Sequence, residues 1–254
     1  MADASPRGTA LITGAARRIG RALALTAAGL GYDVAIHHRS APDEAEALAI
    51  EIRSGGRQAA CFAAELTDEA ETSALVGRAA AALGPVTLLI NNASVFQDDR
   101  IETLSRASWE AHMQTNLRAP IVLAQAFAAE LPQGAEGSII NVLDQRVLKP
   151  NPQFFSYGLS RAALWAATRM LAQALAPRIR VNAIGPGPTL ASIHQTPDDF
   201  AAEAGAVLLG RASSPEDIAA AARYLIEARQ VTGQMIAVDG GQHLVWRTPD
   251  VISD

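Results

Sequence analysis

The chain of 254 residues is 49% hydrophobic and 19% charged, and its formal net charge at pH 7 is −5. This length and balance predict one large α/β domain or two small ones with a sizeable core, and they exclude an intrinsically disordered chain. The negative net charge argues against nucleic acid or an anionic membrane as the main partner.

The cysteines, histidines and apolar runs of the sequence exclude further classes of protein. Cys61 is the only cysteine, which excludes an internal disulfide and a thiolate metal cluster. His112, His194 and His243 show no metal-ligand spacing with acids or with Cys61, so no metal site is predicted. The first residues lack the apolar core of a signal peptide and no apolar run is long enough to span a bilayer, so a cytoplasmic location is expected.

Strand-like and helix-like segments alternate from the first predicted element onward. In the first half, buried strands are predicted over Thr9–Thr13, Asp33–His37, Gln58–Ala64 and Val86–Asn91, and helices over Ile19–Leu30, Asp43–Ile52 and Glu69–Ala82. In the second half, helices are predicted over Ser105–Leu131, Tyr157–Leu175 and Pro215–Ala228, and strands over Ser138–Val142, Arg180–Ile184 and Gln234–Val238. Residues 188–213 are predicted to be irregular with a short helical piece, the usual position of a substrate-covering insertion.

This succession predicts the fold class. Short apolar strands that do not alternate with polar residues are buried on both faces, which is typical of a parallel sheet between two helix layers. Right-handed crossovers then produce an α/β doubly wound, Rossmann-type sheet of seven parallel strands. A single domain over residues 1–254 is expected, with its ligands at the carboxyl ends of the strands.

The turn between the first strand and the first helix is predicted to bind a dinucleotide. Gly14 permits a tight turn, and Gly20 permits close packing of helix on sheet. The helix amino terminus that begins near Ile19 offers free N–H groups and a positive dipole end to a pyrophosphate. Arg18 replaces the middle glycine of the usual pattern, and Arg17 offers a second positive group.

The end of the second strand favours NADPH over NADH. A protein that uses NAD usually has an acidic residue here to bind the ribose 2′-hydroxyl. This chain instead has His37, His38, Arg39 and Ser40, whose cationic and hydroxyl groups suit a 2′-phosphate. Residues at two later strand ends complete the predicted cofactor-binding set. They are Glu65 and Leu66, near the adenine, and Asn92, Ala93 and Ser94, near the ribose and nicotinamide.

In these features the chain resembles the short-chain dehydrogenase/reductase family over nearly its whole length. The segments that match the family pattern are Thr13–Gly20, Asn91-Asn92-Ala93, Asn116, Tyr157, Asn182, Pro186-Gly187 and Asp239-Gly240-Gly241. Four features are similar to the pteridine reductases, including dihydromonapterin reductases, namely Arg17-Arg18, His37–Ser40, the segment Asn92–Phe96 and Asp144 thirteen residues before Tyr157. The resemblance implies NADPH as cofactor, roles for Asn116, Pro186 and Gly187 in the site, and a homotetramer.

The chemistry of the predicted site centres on Tyr157. Hydride transfer to a carbonyl or imine carbon leaves charge on the neighbouring oxygen or nitrogen, and Tyr157 can supply the proton if a nearby cation lowers its pKa. Residue 161 lies one helical turn later on the same face. The family has lysine there, whereas this chain has Arg161, which keeps the charge with a different hydrogen-bonding geometry.

Other side chains point to the class of substrate. Asp144 replaces the serine of most relatives, and the resemblance implies that it relays or orients a proton to a ring nitrogen. Phe96 is expected to stack a flat heterocycle against the nicotinamide, with Arg18 and Ser94 bonding to the ring's polar edge. The leading hypothesis is therefore an NADPH-dependent reductase of a dihydropteridine such as dihydromonapterin, dihydrobiopterin or dihydrofolate.

Two alternatives remain open. A reductase of another carbonyl, such as a 3-oxoacyl thioester or a small ketone, has the same fold and cofactor but needs neither Phe96 nor Asp144. A weakly active NADPH-binding sensor or scaffold is the third hypothesis, with Arg161 as the mark of lost chemistry.

Overall fold

A computed structural model describes residues 7–246 of the chain. Its centre is one sheet of seven parallel strands in the order β3-β2-β1-β4-β5-β6-β7, which confirms the predicted fold class. The strands are β1 Thr9–Ile12, β2 Asp33–His38, β3 Ala59–Ala63, β4 Val86–Asn91, β5 Gly137–Val142, β6 Ile179–Pro186 and β7 Met235–Val238.

Helices follow the strands and cover both faces of the sheet. Their bounds are α1 Arg18–Gly29, α2 Pro42–Ser54, α3 Glu69–Leu83, α4 Arg106–Met113, α5 Ala119–Glu130, α6 Phe155–Leu175, α7 Pro197–Gly205 and α8 Pro215–Glu227. Within the described residues, no helix is both long enough and apolar enough to cross a membrane.

The sheet is buried on both faces because its strands carry apolar side chains at successive positions. In β1, Ala10 and Ile12 belong to one core cluster with residues of α1, α2 and α8, whereas Leu11 belongs to a second cluster with residues of α3 and α5. Side chains of a strand point alternately to opposite faces, so one apolar strand contributes to both layers. This three-layer packing fixes the strand ends, where the polar residues lie.

One predicted helix is interrupted. The segment Ser105–Leu131 was expected to be a single helix, but a π-helical turn over Gln114–Arg118 separates α4 from α5. Pro120 has no N–H to donate to the carbonyl of Asn116, so the regular helical hydrogen bond cannot form there. The wider turn is a feature that often accompanies functional sites, and Asn116 lies in it.

Other boundaries differ by a few residues. The helix predicted to begin at Tyr157 begins at Phe155, after Phe154 in a left-handed conformation with φ 53°. The irregular region 188–213 contains α7, as expected for a short helical piece. The strand order reverses between β1 and β4, and this switch point is where a doubly wound sheet opens a crevice for a ligand.

Candidate active site

A cleft of about 850 Å³ opens at the carboxyl ends of the strands. Its walls come from the glycine turn before α1, the segments after β4 and β5, the first turns of α6, and the region 186–203. The predicted site residues in these walls are Arg18, Ile19, Asn92, Ser94, Phe96, Asp144, Tyr157, Arg161, Pro186 and Gly187. The cleft has the volume of a small-molecule site, and the residues predicted around the adenosine lie outside its lining.

The glycine turn is compact and leaves the start of α1 open. Gly14 has φ 62°, and a Cβ on Gly20 would lie 2.1 Å from the carbonyl oxygen of Gly14. Larger residues at either position would therefore push the turn apart. The N-cap residue Arg17 makes no side-chain hydrogen bond to the first turn of α1, so the N–H groups and positive dipole end there suit an anion such as a pyrophosphate.

Asn92 fastens the glycine turn to the end of β4. Its amide nitrogen Nδ2 donates hydrogen bonds to the carbonyl oxygens of Thr13 (2.9 Å) and Gly14 (3.1 Å). The Thr13 hydroxyl in turn accepts from the backbone N–H groups of Asn92 and Ala93. Asn92, which is predicted to bind the cofactor, lines the cleft, and its side-chain amide bonds to the glycine turn.

His37 has the same supporting role, which corrects its prediction as a phosphate ligand. Its Nδ1 accepts a hydrogen bond from Gly14 N at 3.0 Å, and its Nε2 lies 3.1 Å from the carbonyl oxygen of Ala64. Because both ring nitrogens bond to the backbone and the side chain is 2% exposed, no nitrogen remains for a ligand. Burial lowers the pKa of His37 to about 4, so the ring is neutral at physiological pH.

The other residues predicted around the adenosine divide into buried and exposed groups. Arg39 and Ser40 are exposed at the end of β2, where a 2′-phosphate can reach them. Arg17 is paired with Glu44 at 3.1 Å, and its side chain is more than half exposed. The side chain of Leu66 packs in the core, so only its backbone is left to meet an adenine.

Glu65 and His38 are the other two predicted residues of this region. The Glu65 carboxylate accepts from Thr67 N. His38 is buried, and its Nδ1 has no hydrogen-bond partner among the described residues.

Buried Tyr157 and half-buried Asp144 form a hydrogen-bonded pair in the lining of the cleft. The Tyr157 hydroxyl donates a hydrogen bond to Asp144 Oδ2 at 2.9 Å, and the other carboxylate oxygen accepts from Arg146 N at 2.8 Å. Burial raises the pKa of Asp144. Burial and the neighbouring Asp144 carboxylate also raise the pKa of Tyr157, whereas Arg161 opposes this rise.

Arg161 lies directly against the Tyr157 ring. Its guanidinium carbon is 5.3 Å from the ring centroid, and its Nη1 donates to the carbonyl oxygen of Val142 at 3.2 Å. The side chain is 2% exposed and its Nε has no partner in the described part of the chain. A buried cation with an unused N–H beside the phenol can serve a ligand hydroxyl or a developing negative charge.

Phe96 belongs to an aromatic cluster that the sequence does not predict. Its ring stacks on Phe154 with centroids 4.2 Å apart and meets Tyr157 edge-on at 4.8 Å. His194 lies 5.8 Å from Phe96, and the Arg146 guanidinium lies 5.6 Å from Phe96 and 5.0 Å from Phe154. Phe154 has φ 53°, and residues so far apart in sequence give no local signal of this cluster.

Arg18 crosses the cleft. Its guanidinium donates to the carbonyl oxygens of Leu190 (3.1 Å) and Ala191 (3.0 Å), so the glycine turn is tied to the region predicted to cover the substrate. Arg18 itself has φ 54°, a conformation that glycine would adopt without strain. Ser94 is exposed on the opposite side and lines the same cleft.

Among the remaining predicted residues, Asn116 and Gly187 contact the backbone of neighbouring segments. Asn116 is fully buried, and its amide accepts from Val95 N and donates to Val95 O, each at 2.9 Å. Gly187 lies against Asp239, where a Cβ would be 2.6 Å from the Asp239 Cα, and it shares the cleft wall with Pro186. No group of three or more histidine, cysteine, aspartate or glutamate side chains within residues 7–246 is arranged to hold a metal ion.

The chain matches one family model and is similar to several known proteins. A family model described as short chain dehydrogenase matches residues 8–201. The chain is similar to FolM alternative dihydrofolate reductase 1 from Brucella canis, solved in complex with NADP, at 48% identity and a TM-score of 0.93 over 97% of this chain and 98% of that one. A blue fluorescent protein from a metagenomic library, solved with NADPH, is 33% identical with a TM-score of 0.85 over 93% and 98% of the two chains. The 3-oxoacyl-acyl-carrier-protein reductase of Staphylococcus aureus is 30% identical over 241 residues, which are 93% of this chain and 98% of that protein.

Proposed function

The chain belongs to the short-chain dehydrogenase family and is an oxidoreductase, and we propose that it reduces a dihydropteridine with NADPH. The observation that carries this proposal is the hydrogen-bonded pair of Tyr157 and Asp144, at 2.9 Å, with Phe96 packed against the phenol. The pair supplies a proton, and the aromatic ring supplies a surface for a flat heterocycle.

The residues present fit NADPH. The amino terminus of α1 directly follows the glycine turn, against which Gly20 packs without room for a Cβ, and this arrangement suits a pyrophosphate. Exposed Arg39 and Ser40 would hold the 2′-phosphate, and Arg161, which lines the cleft, would lie beside the nicotinamide ribose. When bound, NADPH supplies the hydride. The similarity at 48% identity to a reductase solved with NADP supports this assignment.

The protein's own contribution is the proton. As a carbon of the substrate's C=N bond accepts the hydride, the adjacent nitrogen becomes basic and takes a proton from the Tyr157 hydroxyl. Asp144 lies on the same hydroxyl and, when protonated, returns a proton to the phenolate. Arg161 stabilises the phenolate as it forms, since its guanidinium stays charged at any accessible pH.

The test is NADPH oxidation by the purified protein with a dihydropteridine beside an acetoacetyl thioester. A larger kcat/KM for the dihydropteridine is expected, and Phe96→Ala should raise its KM several-fold while leaving the affinity for NADPH nearly unchanged, because an aromatic stack contributes about 0.5–1.5 kcal/mol beyond area burial. Tyr224→Ala, which removes an exposed aromatic ring on α8 outside the cleft, is the matched control. An equal rise in the KM for the dihydropteridine in both variants would contradict the stacking role of Phe96.

A second candidate rests on a specific finding. The reductase of Staphylococcus aureus that acts on 3-oxoacyl-acyl-carrier protein is 30% identical over 93% of this chain. Thioester reduction uses the same cofactor and the same tyrosine chemistry, so robust turnover of the thioester without turnover of any dihydropteridine would establish that function instead.

A further inference from the structure

A buried hydrogen-bond chain lies behind the site and has no part in the chemistry proposed above. It joins Gln97, His112, Ser156 and Asp99, which come from the segment after β4, from α4 and from the first turn of α6. His112 and Ser156 are fully buried, and Asp99 is 2% exposed. Such a network is stabilising only if every member is satisfied, so its geometry is informative.

The direction of each hydrogen bond can be assigned. Gln97 N donates to His112 Nε2 at 3.1 Å, so Nε2 carries no proton and Nδ1 must carry it. Nδ1 then donates to Ser156 Oγ at 2.6 Å, and the Ser156 hydroxyl donates to the Asp99 carboxylate. Burial lowers the pKa of His112, which keeps the ring in this neutral form.

Asp99 also holds the start of α6. Its side chain accepts from Ser156 N at 2.9 Å and its carbonyl oxygen accepts from Phe155 N at 3.0 Å. The preceding residue, Phe154, makes no side-chain cap of its own. Asp99 therefore acts as a remote cap, and its charge is favourable at a helix amino terminus.

A second connection runs parallel to the first, one helical turn later on both helical elements. Asn116 donates to Ser160 Oγ at 3.2 Å and bonds to both backbone groups of Val95. Residues 112 and 116 thus connect to residues 156 and 160, and they hold the backbone of residues 97 and 95. Phe96 lies between the two held residues, and Tyr157 and Arg161 each directly follow one of the two serines.

We infer that His112 is a positioning residue that fixes the aromatic surface of Phe96 relative to the proton donor Tyr157. The order of residues in this hydrogen-bond chain supports a positioning role and not a catalytic one. Ser156 is buried between the histidine and the aspartate, so no substrate can reach it. The packing of the His112 ring against Tyr157, with centroids 6.0 Å apart, adds a direct contact to the same function. This inference rests on the proposed reductase function but not on which of the two substrates is used.

Three variants separate the two ends of the connection. His112→Asn keeps a donor near Nδ1 for Ser156 but leaves Gln97 N unpaired, so we expect a several-fold rise in substrate KM with little change in kcat. Asp99→Ala removes the side-chain acceptor of Ser156 N and loosens the start of α6, so kcat should fall several-fold with a smaller change in KM. His112→Phe loses both bonds, and its kcat/KM should fall at least tenfold while the Kd for NADPH changes less than twofold.

The matched control is Thr168→Val on the same helix. Thr168 is fully buried and accepts from Asn141 Nδ2 at 2.9 Å, so its loss removes a comparable hydrogen bond far from the aromatic cluster. At equal loss of Tm, Thr168→Val should keep the wild-type kcat/KM. Equal losses of kcat/KM in Thr168→Val and His112→Phe would overturn the inference, because both would then report general destabilisation.

Amide hydrogen exchange provides a readout that does not need turnover. The Gln97 amide should exchange much faster in His112→Phe and His112→Asn than in the wild type or in Thr168→Val. If Gln97 exchange is unchanged, the positioning role is wrong whatever the kinetics show. If the wild type reduces neither substrate, the proposed function fails, and the exchange of Gln97 still decides whether His112 holds this segment.

Discussion

At the scale of single residues, Arg161 and Asp144 act on the Tyr157 phenol in opposite directions. The carboxylate and the burial of the pair raise the pKa of the tyrosine, and the guanidinium lowers it. The family's lysine is absent, yet a cation lies 5.3 Å from the ring centroid at the same helical position. The electrostatic part of the family's chemistry therefore has a structural basis in this chain.

Removal of the cation should slow the reaction. Arg161→Met is expected to slow hydride transfer by about a hundredfold, since loss of one group that stabilises a developing charge has effects of this order. Arg161→Lys restores the charge and should stay within about tenfold of the wild type. Arg169→Met, which removes an exposed arginine two turns later on α6, is the control. Single-turnover NADPH oxidation measures all three, and a fully active Arg161→Met would show that this cation is unnecessary.

Asp144→Asn should increase stability while it decreases activity. The pKa of Asp144 is raised in the folded state, so its contribution to stability is present at low pH and lost as the pH rises through that pKa. Asparagine keeps the acceptor for Tyr157 without the buried charge. At pH 8 a gain of about 1 kcal/mol would raise the Tm by roughly 2–4 °C for a domain of this size. Thermal melts at pH 8 and pH 5 should show a smaller gain at pH 5, and a gain independent of pH would contradict the assignment.

At the scale of elements, the glycine turn and the strand ends around it are held together by side chains that bond to backbone. His37 connects β2, the glycine turn and the end of β3, and Asn92 connects the turn to β4. The geometry of the glycine turn thus depends on two residues that the sequence pattern predicts as cofactor ligands.

His37 makes the glycine turn sensitive to acid. Its folded pKa is lowered to about 4, so its contribution to stability is fully present above the unfolded value near 6.5 and is lost as the pH falls towards 4. The loss is on the order of 3 kcal/mol over this interval. His37→Asn keeps an acceptor for Gly14 N without titrating, so its urea unfolding should lose less stability than the wild type between pH 7 and pH 4.5. Parallel losses in the two proteins would refute this role.

The end of β2 should determine the choice of cofactor. Arg39→Ala is expected to weaken NADPH binding by roughly tenfold to a hundredfold, the loss of one charge-assisted hydrogen bond of about 1.5–3 kcal/mol, and to leave NADH binding nearly unchanged. Arg53→Ala removes the same charge from α2, where Arg53 pairs with Glu46, and is the control. Fluorescence titration measures both cofactors, and a wild type that prefers NADH would contradict the assignment.

At the scale of the whole molecule, the fold could be predicted because it depends on repeated local patterns. Seven apolar strands and the helices between them are visible in the sequence, and each strand contributes to both core layers through neighbouring residues such as Ala10 and Leu11. The interruption at Gln114–Arg118 was missed because it depends on Pro120 together with the distant partners of Asn116.

The candidate site could be predicted only in part for the same reason. Tyr157 and Arg161 are four residues apart on one helix, so their proximity follows from helical geometry alone. Phe154, Arg146 and His194 reach Phe96 only through tertiary packing, and no spacing along the chain indicates it. Residue type alone also cannot distinguish a histidine that binds phosphate from one, like His37, whose two nitrogens bond to backbone.

The central claim is that Asp144 beside Tyr157 makes this member of the family a dihydropteridine reductase. The most direct measurement is the ratio of kcat/KM for a dihydropteridine to that for an acetoacetyl thioester, with NADPH, in the wild type and in Asp144→Ser, which introduces the serine of most relatives. The ratio should exceed one in the wild type and fall at least tenfold in Asp144→Ser, mainly through loss of dihydropteridine turnover. A wild type that reduces the thioester more efficiently, with a ratio unaffected by Asp144→Ser, would contradict the claim.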